Sequence, residues 1–569
     1  MTSIWRIFGR GASSPTVAEI LHLSSTNIQR INSLTSRDQS HTDEPLNPYQ
    51  CRSLSSKLLR TLENIVGLIY FWDQDSSSAT SNTATLSTVA LETFYLVSER
   101  AKELVESCSS VDWCQASTFQ IQNEEAFKDI LVETSLCYNT IYELVKDKVL
   151  YQDLRRTSTF EPPTSAEVMQ DRIALLQRYQ DFLSAALTSQ SNYRKHHLAR
   201  HLLRRLKYIT SQSNGEDFDV CAVTPWPDGN CPGDEWGKNS EFLGGNVCKT
   251  TWLDVPCAKK TFNDGEVTVD EIFAEARILA CLNHPNIVKF ISCGHDRENS
   301  WHFIAMEHME ASLCAVIKKR TKAKKGAPFP ILSAVHIMLQ IANGTCYLHD
   351  KGVAHRDFKT SNVVVRQLTA PHLQDYIQVK LVDFGLSKAR LRASRSNTIS
   401  EPKIGTTHYR APEAFQRGRA NWFKADVYSF GLMCSVILSG EEPFQEMPRN
   451  KVHEAVSHGC RPVLPPETPQ ELKRLIKECW DTDRNVRPDF IEIYVRLAKL
   501  KHKLLREDPR GHGFKDEVDS FASEYIEEII KKQSEARNQD RFYVQAGVLQ
   551  NVVEEDEWSF PDQVRPFIN

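Results

Sequence analysis

The stretch HRDFKTSN at residues 355–362 is the most informative part of this sequence. Within it, Asp357 is followed five residues later by the amide of Asn362. Asp383 begins the sequence Asp-Phe-Gly, 26 residues after Asp357, and directly follows a strand-like run at residues 379–382. A carboxylate at the end of a strand can chelate a magnesium ion. We therefore expect a magnesium-binding acidic site where these segments meet.

Both segments resemble the signature loops of protein kinases, and the resemblance spans residues 238–505. It implies that Asp357 accepts the proton of the substrate hydroxyl group, while Asn362 and Asp383 hold magnesium. By the same resemblance, Lys359 is the charge that marks kinases acting on serine or threonine. The implied cofactors are ATP and Mg²⁺, and the implied partner is a protein that offers serine or threonine hydroxyl groups.

Two further motifs extend the resemblance into the helical half of this domain. The sequence Ala-Pro-Glu at residues 411–413 ends the activation segment, and we expect Glu413 to form a buried ion pair with Arg487. Asp426 begins the sequence Asp-Val-Tyr-Ser-Phe-Gly, and its carboxylate should brace the backbone of the catalytic loop. The forms of these motifs are similar to those of the tyrosine-kinase-like group, and the roles that they imply are structural.

The small lobe should supply a lysine that clamps the phosphates of ATP. The sequence Val-Pro-Cys-Ala-Lys at residues 255–259 resembles the strand that carries it, so Lys259 is the expected residue. We expect Lys259 to pair with Glu275 on the helix that follows. Lys260 is the alternative, but neighbouring side chains of a strand point to opposite faces, so Lys260 should point away from the site.

The resemblance also implies a nucleotide pocket. A hinge at residues 306–309 should bind adenine through its backbone. The expected nucleotide-binding residues are Lys259, Val247, Gly245, Ala258, Glu307, Met309 and Val364.

The glycine-rich loop departs from the family pattern. Gly245 takes the third glycine position, but the first two positions hold Ser240 and Phe242. Glycines there let backbone N–H groups approach the phosphates closely, and Phe242 places a bulky ring at such a point. Gly244 can shift the register and restore part of the grip. We therefore expect weak ATP binding, with the base and the metal-binding residues unaffected.

The first 210 residues are helical in pattern. Between Tyr49 and Trp72, leucine, isoleucine and valine recur at the spacing of a single helix face, which includes Leu59 and Val66. Because no strand pattern separates such segments, we expect an all-α bundle over residues 1–190. The predicted fold class is α+β, with this bundle followed by a bilobal protein-kinase fold. Similar apolar faces cover residues 17–34, 89–105, 127–145 and 168–187.

Residues 191–237 should connect the two domains. Six lysine or arginine residues, three histidines and no acid lie between Arg194 and Lys207, interleaved with leucines, which predicts a basic amphipathic helix. A lipid-binding face and a merely solvated face both suit it. A linker with proline and glycine follows as far as Gly237, and the tail at residues 506–569 is predicted to be helical and then acidic.

The layout of helical bundle, basic brace and kinase domain resembles the plant mixed-lineage-kinase-domain-like proteins. Residues 90–105, Asp112-Trp113 and residues 127–145 carry this likeness. The family implies immune cell death through membrane association of the bundle, which a kinase-like domain, often a pseudokinase, restrains. The catalytic residues present here depart from the pseudokinase pattern: Lys259, Glu275, Asp357, Asn362 and Asp383.

The composition bears on partners and location. The chain has 569 residues, which predicts two or three domains, and its net charge of −4 gives no reason to expect a nucleic acid partner. Fifteen cysteines without metal-binding spacings predict free thiols in a reducing compartment. The sequence contains no run of eighteen apolar residues, so we expect no membrane span. We expect a cytoplasmic protein that can lie peripherally at the plasma membrane, because Trp5, Ile7 and Phe8 beside Arg6 and Arg10 suit anionic lipid.

Three functions are compatible with these patterns. The first is an enzyme, a protein serine/threonine kinase with an N-terminal helical regulatory domain. The alternative is a membrane-acting cell-death effector in which a pseudokinase-like domain serves as the restraining switch, with a homo-oligomer as the activated state. The third is a docking or dimerisation scaffold.

Overall fold

The described chain forms two compact units. The first contains described residues of 17–113, 126–171 and 502–506, and the second those of 114–125 and 172–501. The predicted N-terminal lipid contact, most of the linker and the tail lie outside the described residues. The computed structural model describes residues 17–36, 45–76, 88–110, 112–145, 162–184, 193–211, 230–231, 236–237, 240–263, 268–296, 301–323, 326–367, 377–385, 388–389, 406–415 and 420–506.

Helices fill the described N-terminal region, as the sequence predicts. Each of the five apolar faces and the basic stretch forms a helix, whereas α4 was not predicted because two turns are too short to show a period. The helices are α1 (Val17–Thr35), α2 (Pro48–Ser76), α3 (Thr88–Cys108), α4 (Trp113–Gln120), α5 (Glu124–Val145), α6 (Ser165–Ser184) and α7 (Tyr193–Ser211).

The first unit buries most of the predicted apolar faces. Leu54, Leu58 and Ile65 of α2 are buried, whereas Leu59 and Val66, predicted on the same face, are 38% and 46% exposed. Helix α1 packs against both α2 and α3. A buried stripe on one side of each helix is enough to hold such a bundle, and side chains at its edge stay in contact with water.

A carboxylate of α6 holds the start of α2. Asp171, 1% exposed, accepts hydrogen bonds from the backbone N–H groups of Tyr49 at 2.8 Å and Gln50 at 3.1 Å, and from the Gln50 side chain at 2.9 Å. The first N–H groups of a helix have no partner within it, so Asp171 caps α2. Burial raises the pKa of Asp171 to about 6, although the hydrogen bonds act in the opposite direction.

A six-stranded sheet forms the small lobe of the second unit, in the order β1-β5-β6-β4-β3-β2. Lys260 lies opposite Val247 on one neighbouring strand and Ile304 on the other, and Ala258 lies opposite Met306. Directly opposed residues share one face of a sheet, so these five residues lie on the same face. The elements are β1 (Asn230–Cys231), β2 (Glu241–Gly244), β3 (Val247–Trp252), β4 (Val255–Asn263), α8 (Val269–Cys281), β5 (Phe290–Asp296) and β6 (Trp301–Glu307).

Helix α7 packs its apolar face in this same unit. Arg205 donates a hydrogen bond to the carbonyl oxygen of Phe290 at 3.0 Å, and His201 Nε2 lies 3.2 Å from the carbonyl oxygen of Ile291. The basic helix therefore rests on β5, with its leucines inside and three cations outside. The buried leucines are Leu198, Leu202 and Leu206, and the exposed cations are Arg200, Arg204 and Lys207.

The large lobe is mainly helical, and with the sheet it confirms the predicted α+β fold. Helix α10 is the one described helix long and apolar enough to span a membrane, but 78% of its apolar window is buried within the protein. The helices and strands of the large lobe are β7 (Ala311–Ser312), α9 (Leu313–Ala323), α10 (Ile331–Asp350), β8 (Val353–Ala354), β9 (Val363–Gln367), β10 (Ile377–Leu381), β11 (Lys388–Ala389), α11 (Trp422–Ser439), α12 (Arg449–Ser457), α13 (Gln470–Cys479) and α14 (Phe490–Arg506).

Both structural contacts predicted for this lobe are present. Arg487 binds the two carboxylate oxygens of Glu413 at 2.7 and 2.9 Å. Asp426, at the start of α11, accepts hydrogen bonds from the backbone N–H groups of His355 and Arg356, both at 2.8 Å. The carboxylate thereby fixes the backbone of the catalytic loop just before Asp357.

Candidate functional site

The lysine that reaches the acidic site is Lys260, so the expected pairing of Lys259 with Glu275 is wrong. Lys260 Nζ donates to the two carboxylate oxygens of Glu275 at 2.7 and 2.9 Å, and to Asp383 Oδ1 at 2.9 Å. Burial by itself lowers the pKa of Lys260, but the two carboxylates outweigh it and the pKa is raised. Lys260 is therefore a charged bridge between helix α8 and the Asp-Phe-Gly segment.

Lys259 lies on the opposite face of β4. Its ammonium group sits 4.1 Å from the ring centre of Trp236 and 5.4 Å from that of Phe303, in cation–π contact. The sequence contained a signal for the correct residue. Ala258 was expected to contact the nucleotide. Its neighbour Lys259 must point to the opposite face of the strand, whereas Lys260, two residues after Ala258, points to the same face.

Asp357 is the centre of a dense hydrogen-bond network. Its Oδ2 accepts from Lys359 Nζ at 2.6 Å and from Asn362 Nδ2 at 3.0 Å. Its Oδ1 accepts from both the backbone N–H and the hydroxyl group of Thr406, each at 2.9 Å. Lys359 Nζ also donates to the Thr406 hydroxyl oxygen at 2.9 Å. Nothing in the sequence around Thr406 indicates this contact, because Asp357 lies 49 residues away in the chain.

The backbone at the site adopts uncommon conformations. Arg356 and Asp383 have φ angles of 69° and 68°, in the left-handed region that residues with a side chain seldom occupy. The hydrogen bond that the Arg356 backbone N–H donates to Asp426 holds the first of these positions. Such strain persists only where surrounding contacts determine it, and it is concentrated at functional sites.

Aromatic packing joins the two loops beneath the acidic groups. His355 lies between the rings of Phe358 and Phe384, with centroids 4.7 and 5.2 Å away, and its Nε2 is 3.1 Å from the carbonyl oxygen of Val382. A Cβ atom at Gly385 would come within 3.1 Å of Glu275 Oε2. A glycine at this position therefore leaves room for Glu275 beside Asp383.

Of the expected nucleotide-binding residues, Val247 and Ala258 lie on the sheet face that carries Lys260, whereas Lys259 lies on the opposite face. Val247 is half-buried opposite Lys260, and Ala258 is 7% exposed on the same face. Glu307 ends β6, its buried carboxylate is paired with Lys380 at 2.8 Å and Arg366 at 3.4 Å, and its backbone N–H donates to the carbonyl oxygen of Lys289 at 2.8 Å. The remaining two expected residues are Met309, buried just after β6, and Val364, half-buried in β9.

The loop that covers this face is a tight hairpin between β2 and β3. Gly244 and Gly245 have φ angles of 130° and 59°, so the turn uses a conformation that favours glycine at two adjacent positions. Phe242 is 74% exposed, and the pairing register shifts between Phe242 and Gly244. The turn thus keeps its glycines at the tip, while the first two glycine positions of the family pattern lie outside it.

The donor set at the acidic end fits a magnesium ion. Burial alone would raise the pKa of Asp383, but the charge of Lys260 prevails and lowers it, so this carboxylate is ionised. The Asp383 side chain is 43% exposed, which leaves it open to a ligand, and the Asn362 side chain lies beside Asp357. Hard oxygen donors, one of them anionic, are what Mg²⁺ takes from proteins.

The fold is similar to a solved structure of matching layout. The cryo-EM structure of the AtMLKL3 tetramer aligns with 94% of this chain and 99% of that chain, with a TM-score of 0.67 and 18% sequence identity. At this level of identity the likeness concerns the fold, a helical N-terminal region followed by a kinase domain.

Sequence relatives are protein kinases. The light-sensor protein kinase of Ceratodon purpureus is 37% identical over 313 residues, which are 51% of this chain and 23% of that protein. Serine/threonine-protein kinase VIK of Arabidopsis thaliana is 32% identical over 323 residues, which are 53% of this chain and 70% of VIK. Residues 240–497 match the protein tyrosine and serine/threonine kinase family. With the geometry of its site, these matches show that the chain belongs to the protein kinase family.

Proposed function

We propose that this chain is an active protein serine/threonine kinase with an N-terminal helical regulatory region. One observation carries the proposal: Lys260, Glu275 and Asp383 form a continuous ion-paired bridge between the lobes. The lysine–glutamate pair within this bridge is one on which phosphoryl transfer depends in protein kinases. Names of relatives such as VIK, a serine/threonine-protein kinase, support the choice of hydroxyl acceptor.

The residues divide the work of phosphoryl transfer. Asp383 and Asn362 would hold Mg²⁺, which neutralises charge on the phosphates of ATP. Lys260, fixed by Glu275, presents its ammonium group to those phosphates. Lys359 lies where it can offset negative charge next to the base.

Asp357 serves as the base that accepts the proton of the substrate hydroxyl group. An ionised carboxylate offers about four lone-pair positions, and four donors already occupy them. A substrate hydroxyl must therefore displace one donor. The Thr406 hydroxyl is the easiest to displace, because it is neutral and can rotate while the Thr406 N–H bond remains.

Lysine substitutions provide a sharp test with a matched control. The purified full chain is incubated with radiolabelled ATP, Mg²⁺ and a generic protein substrate. Lys260→Met should abolish incorporation, whereas Lys259→Met, one residue away on the other face, should retain most of it. Asp357→Asn should lower the rate by about 10²- to 10⁴-fold, the range for loss of a general base. Equal activity of the two methionine variants would refute the assigned role of Lys260.

The resemblance over nearly the whole chain to AtMLKL3, solved as a tetramer, supports a second candidate function. In this candidate function, the helical region associates with an anionic membrane, and the kinase domain restrains that association. The protein would be cytoplasmic and would form homo-oligomers when activated. The apolar face of α7 is covered by β5, so lipid contact by this helix would be electrostatic and use the exposed Arg200, Arg204 and Lys207.

Vesicle binding distinguishes this candidate from the kinase alone. Once phosphorylation of the activation segment relieves the restraint, the full chain should sediment with vesicles that contain phosphatidylserine, and less so as salt rises, because exposed charges are screened. Changing Arg200, Arg204 and Lys207 to Glu should release it, and chromatography with light scattering reports the oligomeric state. Absence of binding at low salt, before and after phosphorylation, would remove the membrane candidate and leave the kinase untouched.

A further inference from the structure

Helix α9 carries a strip of lysines on its exposed face. Lys318, Lys319 and Lys322 are exposed, at positions that lie next to one another on a helix surface. Within the described part of the chain, none of the three forms an ion pair with an acid. The whole chain has a net charge of −4, so this concentration of positive charge is a local feature.

The opposite face of α9 anchors the helix. Leu313 and Ile317 are buried, and the guanidinium group of Arg320 stacks on the ring of Phe329 at 4.7 Å. Arg320 is thus engaged, while the three lysines project away from this contact. The lysine strip therefore stands on a fixed support.

This support is joined to the catalytic loop. Helix α9 contacts the short 3₁₀ turn Thr360–Asn362. Cys314 Sγ donates to Glu442 Oε1 at 3.4 Å, and Glu442 Oε2 accepts the Tyr409 hydroxyl at 2.7 Å. The same Tyr409 hydroxyl lies 3.4 Å from the Thr360 hydroxyl, next in sequence to Lys359. The strip is therefore held in fixed relation to Asp357.

The spacing suits a bound peptide. At about 1.5 Å per residue, the strip begins roughly 6 Å beyond Cys314 and ends roughly 12 Å beyond it. An extended peptide advances about 3.3 Å per residue. The strip is therefore about 6 Å long, which matches about two residues of an extended peptide.

Helix stability does not account for the strip. Cations in the last turn favour a helix through its dipole, but Lys318 and Lys319 precede the last turn. Lys322 lies four residues after Lys318 and three after Lys319, and like charges at these spacings destabilise a helix. Lys322 lies in the last turn, where it favours the helix dipole, so helix stability leaves Lys318 and Lys319 without an explanation.

We propose that Lys318, Lys319 and Lys322 form a docking strip for an acidic segment of the protein substrate. This inference rests on the proposed kinase function and names its substrate class. A protein segment is favoured over lipid or nucleic acid because the strip adjoins the catalytic loop, where the ligand that arrives carries the acceptor hydroxyl. Glutamate or aspartate residues near the acceptor complement its charge.

Peptide binding tests the strip without requiring turnover. Two fluorescein-labelled peptides of equal length carry one serine, flanked by glutamates in one and by lysines in the other. The full chain should bind the glutamate peptide, with anisotropy as the readout, and the triple variant Lys318→Glu, Lys319→Glu, Lys322→Glu should bind it about tenfold less tightly. Each exposed ion pair contributes roughly a two- to fivefold factor.

A second triple variant controls for net charge. Arg200→Glu, Arg204→Glu, Lys207→Glu changes the charge equally on the exposed face of α7, and it should leave binding of the glutamate peptide unchanged. The α9 variant should gain affinity for the lysine peptide. Equal binding of both peptides, or equal losses in both variants, would overturn the inference.

Phosphorylation of the same peptides separates this inference from the proposed function. Preferential phosphorylation of the glutamate peptide, lost in the α9 variant, would support both. Equal phosphorylation of the two peptides would refute the docking strip and leave the kinase standing. Selective binding without any phosphorylation would refute the kinase activity and leave the strip as a docking site for acidic segments.

Discussion

Removing one partner of the buried ion pair between Glu413 and Arg487 should destabilise the second unit strongly. The Arg487 side chain is 0% exposed and that of Glu413 is 17% exposed. Arg487 also donates to the carbonyl oxygens of Asp481 and Lys424, both at 2.8 Å. Arg487→Met removes the guanidinium donor from one carboxylate and two carbonyl oxygens. The unbranched methionine side chain keeps most of the apolar stem of the arginine.

The expected cost follows from this burial. Breaking a buried ion pair by removing one partner costs about 3–5 kcal/mol. For a domain of this size, about 1 kcal/mol shifts the melting temperature by about 2–4 °C. Arg487→Met should therefore lower the melting temperature of the second unit by about 6–20 °C, measured by calorimetry on the full chain. Because Glu413 ends the activation segment, kinase activity should also fall at temperatures where the chain remains folded.

An exposed arginine of the same unit provides the matched control. Arg496 pairs with Glu478 and Glu492, but its side chain is 26% exposed and theirs are 32% and 55% exposed. Exposed pairs contribute about 0–1 kcal/mol, so Arg496→Met should shift the melting temperature by at most about 4 °C. The double variant Glu413→Gln, Arg487→Met should lose no more than Arg487→Met, since no charge remains unpaired. Equal shifts for Arg487→Met and Arg496→Met would refute the reasoning.

Three further changes probe other parts of the chain. Replacing Ser240 and Phe242 with Gly should strengthen ATP binding severalfold, read as a larger thermal shift with ATP and Mg²⁺; no gain would mean that the glycines at the tip suffice. Asp171 has its pKa raised to about 6, so the folded state binds the proton more tightly and stability falls as pH rises from about 4 to 6, by about 3 kcal/mol at most; Asp171→Asn should flatten this pH dependence in denaturation. Arg356 precedes the base, and its guanidinium group lies over the Trp422 ring at 4.5 Å. We expect Arg356 to bind a phosphate group of the activation segment, so Arg356→Ala should abolish any activation by phosphorylation between residues 394 and 407. Persisting activation would exclude Arg356 as the residue that binds this phosphate.

Much of the fold follows from local pattern. The apolar period of each long N-terminal helix is visible in the sequence because one face of each must be buried. Motifs whose spacing is short, such as Asp357 with Asn362, also identify their shared site, because little chain separates the two groups. The contacts of Glu413 with Arg487 and of Asp426 with the catalytic loop were likewise predicted from motifs, although 74 and about 70 residues separate the partners.

What the sequence left undecided concerns which face a residue occupies and what covers it. Lys259 and Lys260 are chemically identical neighbours, and although the expected contact of Ala258 with the nucleotide already favours Lys260, the structure shows that Lys260 is the one that meets Glu275. The leucines of α7 predict an apolar face, but the sequence cannot say whether lipid or protein covers it, and the structure places β5 there. Thr406 reaches Asp357 only because the activation segment folds back on the loop. Local pattern determines helices, strands and motifs, whereas pairing between distant segments decides which of their side chains meet, because strand register and helix packing bring together residues that are far apart in the chain.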